Sequence, residues 1–306
     1  MIKDKNLMKN YLSLSSALII LFLSGCKTGP VKSVFDAGYN FKSPDASVIL
    51  PAVLQEVSGI TLIDSNMLAC IQDENGILFL YDLAKKKISS QFKFFSNGDY
   101  EGIAGVMDTI YVLRSDGMLI EISDYRSNNV IVTPFPTEIP SKDNEGLCYD
   151  SQNSRLLIAC KESTGKGDLS KDKRYVFGFD LISKNLIEEP VYSFDIQLLK
   201  EFAVKNSIYL PLKGKKKGPP EPVLRFQTSG IAIHPLTNKL YLLSSEDYLL
   251  SVFDINGNID HMVRLNMGLF NQPEGITFLE NGDLLISNEG QGKGPATLRK
   301  FRYNPE

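Results

Sequence analysis

The chain has 306 residues, 43% hydrophobic and 23% charged, enough apolar material for a sizeable core in one large domain or two small ones. The formal charge is -3, and because Lys3, Lys5 and Lys9 all precede position 26, the remainder of the chain is mildly acidic. A body without a positive field cannot meet a phosphate backbone over a broad face, so nucleic acid is excluded as an expected partner.

In chain order the first signal is the leader. Its lysines precede YLSLSSALIILFL, an apolar run too short for a comfortable membrane span, and LSGC comes next at Leu23 to Cys26. That is the pattern of a lipoprotein signal peptide, in which small residues suit the cleft of a signal peptidase and the Cys26 thiol is the point of lipidation. Each buried acyl methylene contributes about 0.8 kcal/mol, so two or three acyl chains hold a protein on a bilayer without a spanning helix. The expected layout is a signal peptide over 1–25, a tether over 26–44 and a body over 45–306, anchored to a membrane of the cell envelope and facing the periplasm or the exterior.

Next comes ASVILP, a lone strand ahead of five related segments. These are EVSGITLIDSNMLACIQDENGILFLYDL, DYEGIAGVMDTIYVLRSDGMLIEIS, DNEGLCYDSQNSRLLIACKES, TSGIAIHPLTNKLYLLSSEDYLLSVFDI and PEGITFLENGDLLISNEG. They share Gly59, Gly102, Gly146, Gly230 and Gly275, spaced by 43, 44, 84 and 45. Each reads as an apolar strand, a polar turn, a second apolar strand, an acidic loop and a third strand. Four strands in about 40–45 residues is the size of a propeller blade. The expected fold is therefore all-β, a single β-propeller. Its last repeat offers only one further strand, ATLRKFRY, so its fourth is expected from the N-terminal ASVILP, which splices the two chain ends together.

The 84-residue interval admits a sixth, degenerate blade or long insertions. Residues 161–174 read as a polar hairpin extension, DIQLLKEFAVKNS has helical spacing, and LKGKKKGPPEP has a composition that does not pack. Four more strands do not fit in the remainder, which favours five blades over six. The lysine run is read as a solvated loop, with contact to anionic lipid head groups as the alternative. Cys70, Cys148 and Cys160 each fall inside an apolar strand pattern and read as buried free thiols. His234 falls in a turn and His261 in an outer strand.

In a propeller the loop before the innermost strand and the loop after the second strand share one rim, because the two strands are antiparallel. Just before the shared glycines stand Ser58, Glu101, Glu145, Ser229 and Glu274; the loops after the second strands supply Asp73, Glu74, Asp116, Glu162, Glu246, Asp247 and Glu289. Carboxylates crowded in a low-dielectric throat repel one another unless a cation or hydrogen-bond donors offset the field. With oxygen donors only, the cation selected is calcium, with Glu101, Glu145 and Glu274 as its ligands. Ser58, Ser229, Asp73, Arg114, Lys161, Glu246 and Glu289 are the candidate ligand-binding residues around them. Arg114 and Lys161 either neutralise part of the ring or receive an anionic group. The competing reading is that the glutamates accept backbone amides from neighbouring blades and stitch the ring.

The phrases EVSGIT, DYEGIA, DNEGLCYD, SGIAIHPLTNKLYLLSSED and QPEGITF...GDLLISNEG resemble the bacterial SdiA-regulated family, propellers related to NHL-repeat proteins. The resemblance spans roughly residues 50–303 and implies a β-propeller. More distantly, the Glu-Gly-Ile phrase is similar to that of phytase-like esterase propellers, and the calcium-bearing gluconolactonase and paraoxonase group shares the architecture. Against those lactonases, this ring has Ser58 and Ser229 where further charged ligands would stand. A GxSxG motif is absent, and GQGKG at Gly290 to Gly294 lacks the spacing of a phosphate loop. Two functions are expected: a membrane-anchored propeller that binds a small molecule, glycan or protein partner at an acidic channel mouth with calcium, or a calcium-dependent hydrolase of lactonase, esterase or phosphoesterase type.

Overall fold

The β-branched and aromatic runs between the turn signals form strands, as their fit to a pleated, half-buried surface dictates. The computed structural model describes residues 37–127, 129–162, 172–214, 218–290, 292 and 294–305. The expected signal peptide, Cys26 and the first part of the expected tether lie outside the described residues, as do 163–171 of the expected polar extension. β1 (Ala46–Ile49) comes first. Blade 1 is β2 (Val57–Asp64), β3 (Met67–Gln72), β4 (Ile77–Asp82) and β5 (Lys87–Lys93). Blade 2 is β6 (Tyr100–Val106), β7 (Thr109–Arg114), β8 (Met118–Ser123) and β9 (Ile131–Pro136). Blade 3 is β10 (Asn144–Asp150), β11 (Arg155–Cys160) and β12 (Lys173–Asp180), whose outer side carries two short strands, β13 (Asn185–Leu186) and β14 (Tyr192–Asp195).

Then comes the insertion: helix α1 (Ile196–Lys205) and a small hairpin of β15 (Leu212–Lys213) and β16 (Glu221–Pro222). Asp195 caps the helix, accepting from the amides of Gln197 and Leu198, while Leu199 and Ala203 face the core. The segment read as unable to pack thus pairs over two residues, although Leu212 stays exposed. Blade 4 is β17 (Gly230–Ile233), β18 (Leu240–Ser244), β19 (Leu249–Phe253) and β20 (Ile259–Arg264); blade 5 is β21 (Pro273–Phe278), β22 (Leu284–Asn288) and β23 (Thr297–Phe301). Its fourth strand is β1, antiparallel to β23 with Ala46 opposite Lys300 and Ile49 opposite Thr297. The fold is a five-bladed β-propeller closed by an N-terminal strand, and the long interval holds insertions rather than a sixth blade.

Five apolar clusters fill the five seams between neighbouring blades. One corrects the tether: Tyr39 and Phe41 are buried among Tyr241, Phe270 and Phe301, so the packed body begins before position 45. Tyr39 also donates to the Gly282 carbonyl at 2.6 Å, fixing the chain to the turn between β21 and β22. Cys70, Cys148 and Cys160 are free and buried, and burial pushes the thiols of Cys70 and Cys160 up to about 12. Among the described residues no helix is long and apolar enough to cross a membrane.

Inner strands β2, β6, β10, β17 and β21 contact one another in a closed cycle. The shared glycines make this approach possible. A Cβ on Gly59 would meet Ile103, on Gly102 Leu147, on Gly146 Ile231, on Gly230 Ile276 and on Gly275 Ile60, each time the residue after the glycine of the next blade. At Gly230 it would also fall 2.3 Å from the Glu274 carbonyl oxygen. Close approach, not a left-handed backbone, is what requires glycine here.

Replacing Gly230 by alanine forces the two strands apart and is expected to cost about 1–3 kcal/mol. That corresponds to roughly 2–4 °C of melting temperature per kcal/mol in a domain of this size. Gly268→Ala, in an exposed loop whose nearest neighbour is the Asn266 side chain, should leave the melting temperature within about 1 °C; equal shifts for the two variants would refute this account of the ring.

Candidate functional site

In four of the five inner strands the ladder to the next strand slips at the residue ahead of the glycine. The register shifts fall between Val57 and Gly59, Tyr100 and Gly102, Asn144 and Gly146, and Pro273 and Ile276. A bulge leaves one residue out of the ladder and re-aims its side chain. Ser58, Glu101, Glu145 and Glu274 occupy the slipped stretches, and Ser229 stands just ahead of β17. All five line the top of one narrow axial channel, with Ile60, Ile103, Leu147, Ile231 and Ile276 directly below. Those five side chains plug the channel, so the glutamates stand on an apolar floor.

Above the plug is a well of about 350 Å³, lined by Asp73, Glu101, Glu145, Lys161, Gln227, Ser229, Ser245, Glu246, Tyr248, Gln272, Glu274 and Glu289. Of the residues expected at the site, Asp73, Glu101, Glu145, Lys161, Ser229, Glu246, Glu274 and Glu289 meet here. Ser58 faces the narrow channel instead. Arg114 does not line the well: its guanidinium forms a two-pronged pair with Asp116, at 2.9 and 2.6 Å. Asp247 is also turned away, accepting from the amides of Arg225 and Phe226.

The two serines, not the glutamates, stitch neighbouring blades. Ser58 donates to the Tyr100 carbonyl at 2.7 Å, and Ser229 to the Pro273 carbonyl at 2.8 Å, each across a blade seam. The glutamates bond side chains: Glu101 bonds Asp99, Glu145 bonds Lys161, and Glu274 bonds Gln272 and Ser245. Glu246 is paired with Arg225.

The charge balance is set by these contacts. Burial pushes Glu101 up to about 10, reinforced by Glu145, by a shared hydrogen bond with Asp99 and by Glu274. Burial raises Glu274 to about 8, with Glu145 and Glu289 adding to the effect. Glu289 rises to about 7 through burial and the neighbouring Asp73, Glu56 and Glu145, and Asp73 rises to about 6 through burial and Glu56. Glu145 stands at about 7, because burial raises it while Lys161 pulls it back. Burial opposes the Lys161 ammonium, but Glu145 outweighs it and holds the group above its ordinary value.

Gln227, Gln272, Ser245 and Tyr248 are wall residues that sequence reasoning missed. A signal for the first two existed. Three positions before the shared glycines stand Glu56, Asp99, Asp143, Gln227 and Gln272, a second polar set with the same period as the first. Two of its members bond the ring glutamate two residues on. As for calcium, among the described residues no three His, Cys, Asp or Glu side chains are grouped to hold one metal ion. The expected ligands Glu101, Glu145 and Glu274 share the well without forming a cage, and Lys161 already serves Glu145. His234 is buried in its turn, accepting from the amides of Leu236 and Thr237 at the opposite end of the channel strands; burial holds it down at about 4.

No family model matches the chain, and no curated protein sequence matches it. Among solved structures it is similar to glutaminyl cyclase of Myxococcus xanthus, with a TM-score of 0.55, 12% identity, and coverage of 86% of this chain and 97% of that one. It is also matched by a protein of unknown function from Bacteroides caccae (TM-score 0.43, 12% identity, 75% and 67% coverage) and by a nidogen/laminin complex (0.47, 11%, 76% and 72%). At such identities the first likeness supports the propeller fold and nothing finer.

A carboxyl whose folded value lies above its unfolded one binds protons in the native state that the unfolded chain has released. Its contribution is therefore lost as pH rises from the unfolded value through the folded one. For Glu274 that window runs from about 4.5 to about 8. The melting temperature should fall across it, and Glu274→Gln should flatten the decline and add on the order of 1 kcal/mol at pH 8. A stability profile that rises from pH 5 to 8, unchanged by the substitution, would show the carboxyl to be unstrained.

Proposed function

We propose that this propeller is a binding module whose acidic well receives a small polar ligand or an exposed group of a partner. The observation that carries this reading is division of labour at the channel mouth. Glycine packing and the Ser58 and Ser229 bonds hold the blades together, so the buried carboxylates are not needed for closure. They remain on an apolar floor at an electrostatic cost that a bound cationic or hydrogen-bond-donating group would relieve.

Calcium is the second reading, favoured by a wall that offers a metal only oxygen donors among its acidic and amide groups. It requires Glu101, Glu145 and Glu274 to draw together beyond their present arrangement. The calcium-dependent hydrolase depends on the same closure, and neither histidine faces the well: His234 is in its buried turn and His261 is on outer strand β20. A ligand-binding role asks for less.

We also propose a lipid anchor at Cys26, from the lysine-led apolar run and LSGC. The Ala37 carbonyl accepts from Tyr241, and Gly38 lies against Tyr303, beside the turn at Gly282 and so at the end of blade 5 away from the well. Ten residues, 27–36, separate this point from Cys26 and span at most roughly 35 Å.

Thermal-shift screening of the full chain in detergent with amines, sugars, short peptides and calcium tests the first proposal. A true ligand at a hundredfold excess over its Kd should raise the melting temperature by roughly 5 °C or more. The shift should vanish in a Ser245→Trp variant, whose indole on the wall fills the well. No shift with any class would return the carboxylates to a purely structural role. Separately, Cys26→Ser should move the protein from the membrane fraction to the soluble one; retention in the membrane would sink the anchor.

A further inference from the structure

Charge is unevenly served around the well. Glu145 has Lys161, Glu246 has Arg225, Glu101 shares a hydrogen bond with Asp99, and Glu274 is held by Gln272 and Ser245. Asp73 and Glu289, where blade 1 meets blade 5, are different. Glu289 is only 6% exposed, lines the well, and its Oε2 has no hydrogen-bond partner among the described residues. Asp73 Oδ1 is likewise buried and without a partner among the described residues, although the same carboxyl accepts from the Glu74 backbone. Glu56 adds a further negative neighbour to both. A buried acceptor left unmade is costly, more so when charged, so two such orphans on electrostatically coupled residues of one well point to missing donors.

We propose that Asp73 and Glu289 form the anchoring subsite for the primary ammonium group of a small, polar organic ligand, a deepening that rests on the well being a binding site. The donor geometry selects the class. Two orphan oxygens on separate carboxylates call for N–H groups diverging from one centre, as in an ammonium; a guanidinium fork instead matches the two oxygens of a single carboxylate. Calcium asks for six to eight oxygens, far more than two orphans and no grouped third acid supply. Ionisation agrees with this choice. Asp73 and Glu289 titrate at about 6 and about 7, whereas Glu101 and Glu274 hold their protons to about 10 and about 8, so unneutralised negative charge gathers at this seam near neutrality. Gln227, Gln272 and Ser245 add amide and hydroxyl groups suited to the polar remainder of an amino sugar or amino alcohol.

The test is calorimetry on the full chain in detergent at pH 7.5 with methylammonium, ethanolamine and glucosamine, and with ethylene glycol and glucose as the neutral counterparts of the last two. Each of those two amines should bind at least about tenfold more tightly than its neutral counterpart. Asp73→Asn and Glu289→Gln should each weaken amine binding by about tenfold while the neutral compounds are unaffected; Asp116→Asn, outside the well, should change nothing. If a variant fails to fold, carboxyl carbon NMR of the wild type serves instead, with the Asp73 and Glu289 resonances moving first as amine is added. Equal affinity for amine and neutral compound overturns the proposal, as does calcium that binds through these two residues and excludes the amines. Amine binding that survives both substitutions but is lost in Glu101→Gln, Glu274→Gln overturns the subsite and leaves the well's binding role standing. No binding by any probe ends both.

Discussion

Five chain segments can meet at one axis only if nothing protrudes between them, and this constraint governs the molecule. Gly59, Gly102, Gly146, Gly230 and Gly275 each receive a side chain of the next blade where a Cβ would stand. The contact is cyclic, so each blade both gives and takes one such insertion. Seam clusters outside this ring supply the apolar burial, and β1 laid against β23 joins the chain ends within blade 5, leaving only the short outer edges of the blades.

The same constraint sets up the chemistry. Because an aliphatic residue comes after each glycine and a polar residue, bulged in four of the five strands, precedes it, the axis changes from hydrocarbon to polar groups within two residues. The apolar residues close the channel below the ring, and burial there raises Asp73, Glu101, Glu145, Glu274 and Glu289. Serines at two of the five positions reduce the number of charges and bind neighbouring blades. The remaining acids are then divided between those held by side-chain partners and the Asp73 and Glu289 pair, each of which keeps one oxygen without a partner among the described residues. A well with this distribution has a direction: its neutralised side lies at blades 3 and 4, and its open negative side at the seam of blades 5 and 1.

Local sequence carried the blade pattern because strand and turn periodicity are properties of short windows. The borrowed strand was legible for a related reason: ATLRKFRY left blade 5 one strand short, and ASVILP was unclaimed. Less was legible where outcome depended on partners distant in sequence. Arg114 reads as a rim cation, but Asp116 two residues on captures it. Asp247 reads as a rim acid, but the amides of Arg225 and Phe226 draw it inward. Tyr39 and Phe41 read as tether because the aromatic wall that buries them is built from residues some 200 positions away.

The sequence by itself determined the repeat, its glycines and the polar residues just ahead of them, since all of these depend on spacing along one chain, and it favoured five blades over six. Only the tertiary structure decided which acids keep a partner, that the serines stitch, and that Asp73 and Glu289 are left with unpaired oxygens. The reason is physical: hydrogen bonding and desolvation are fixed by distances between blades, and those distances do not exist until the ring has closed.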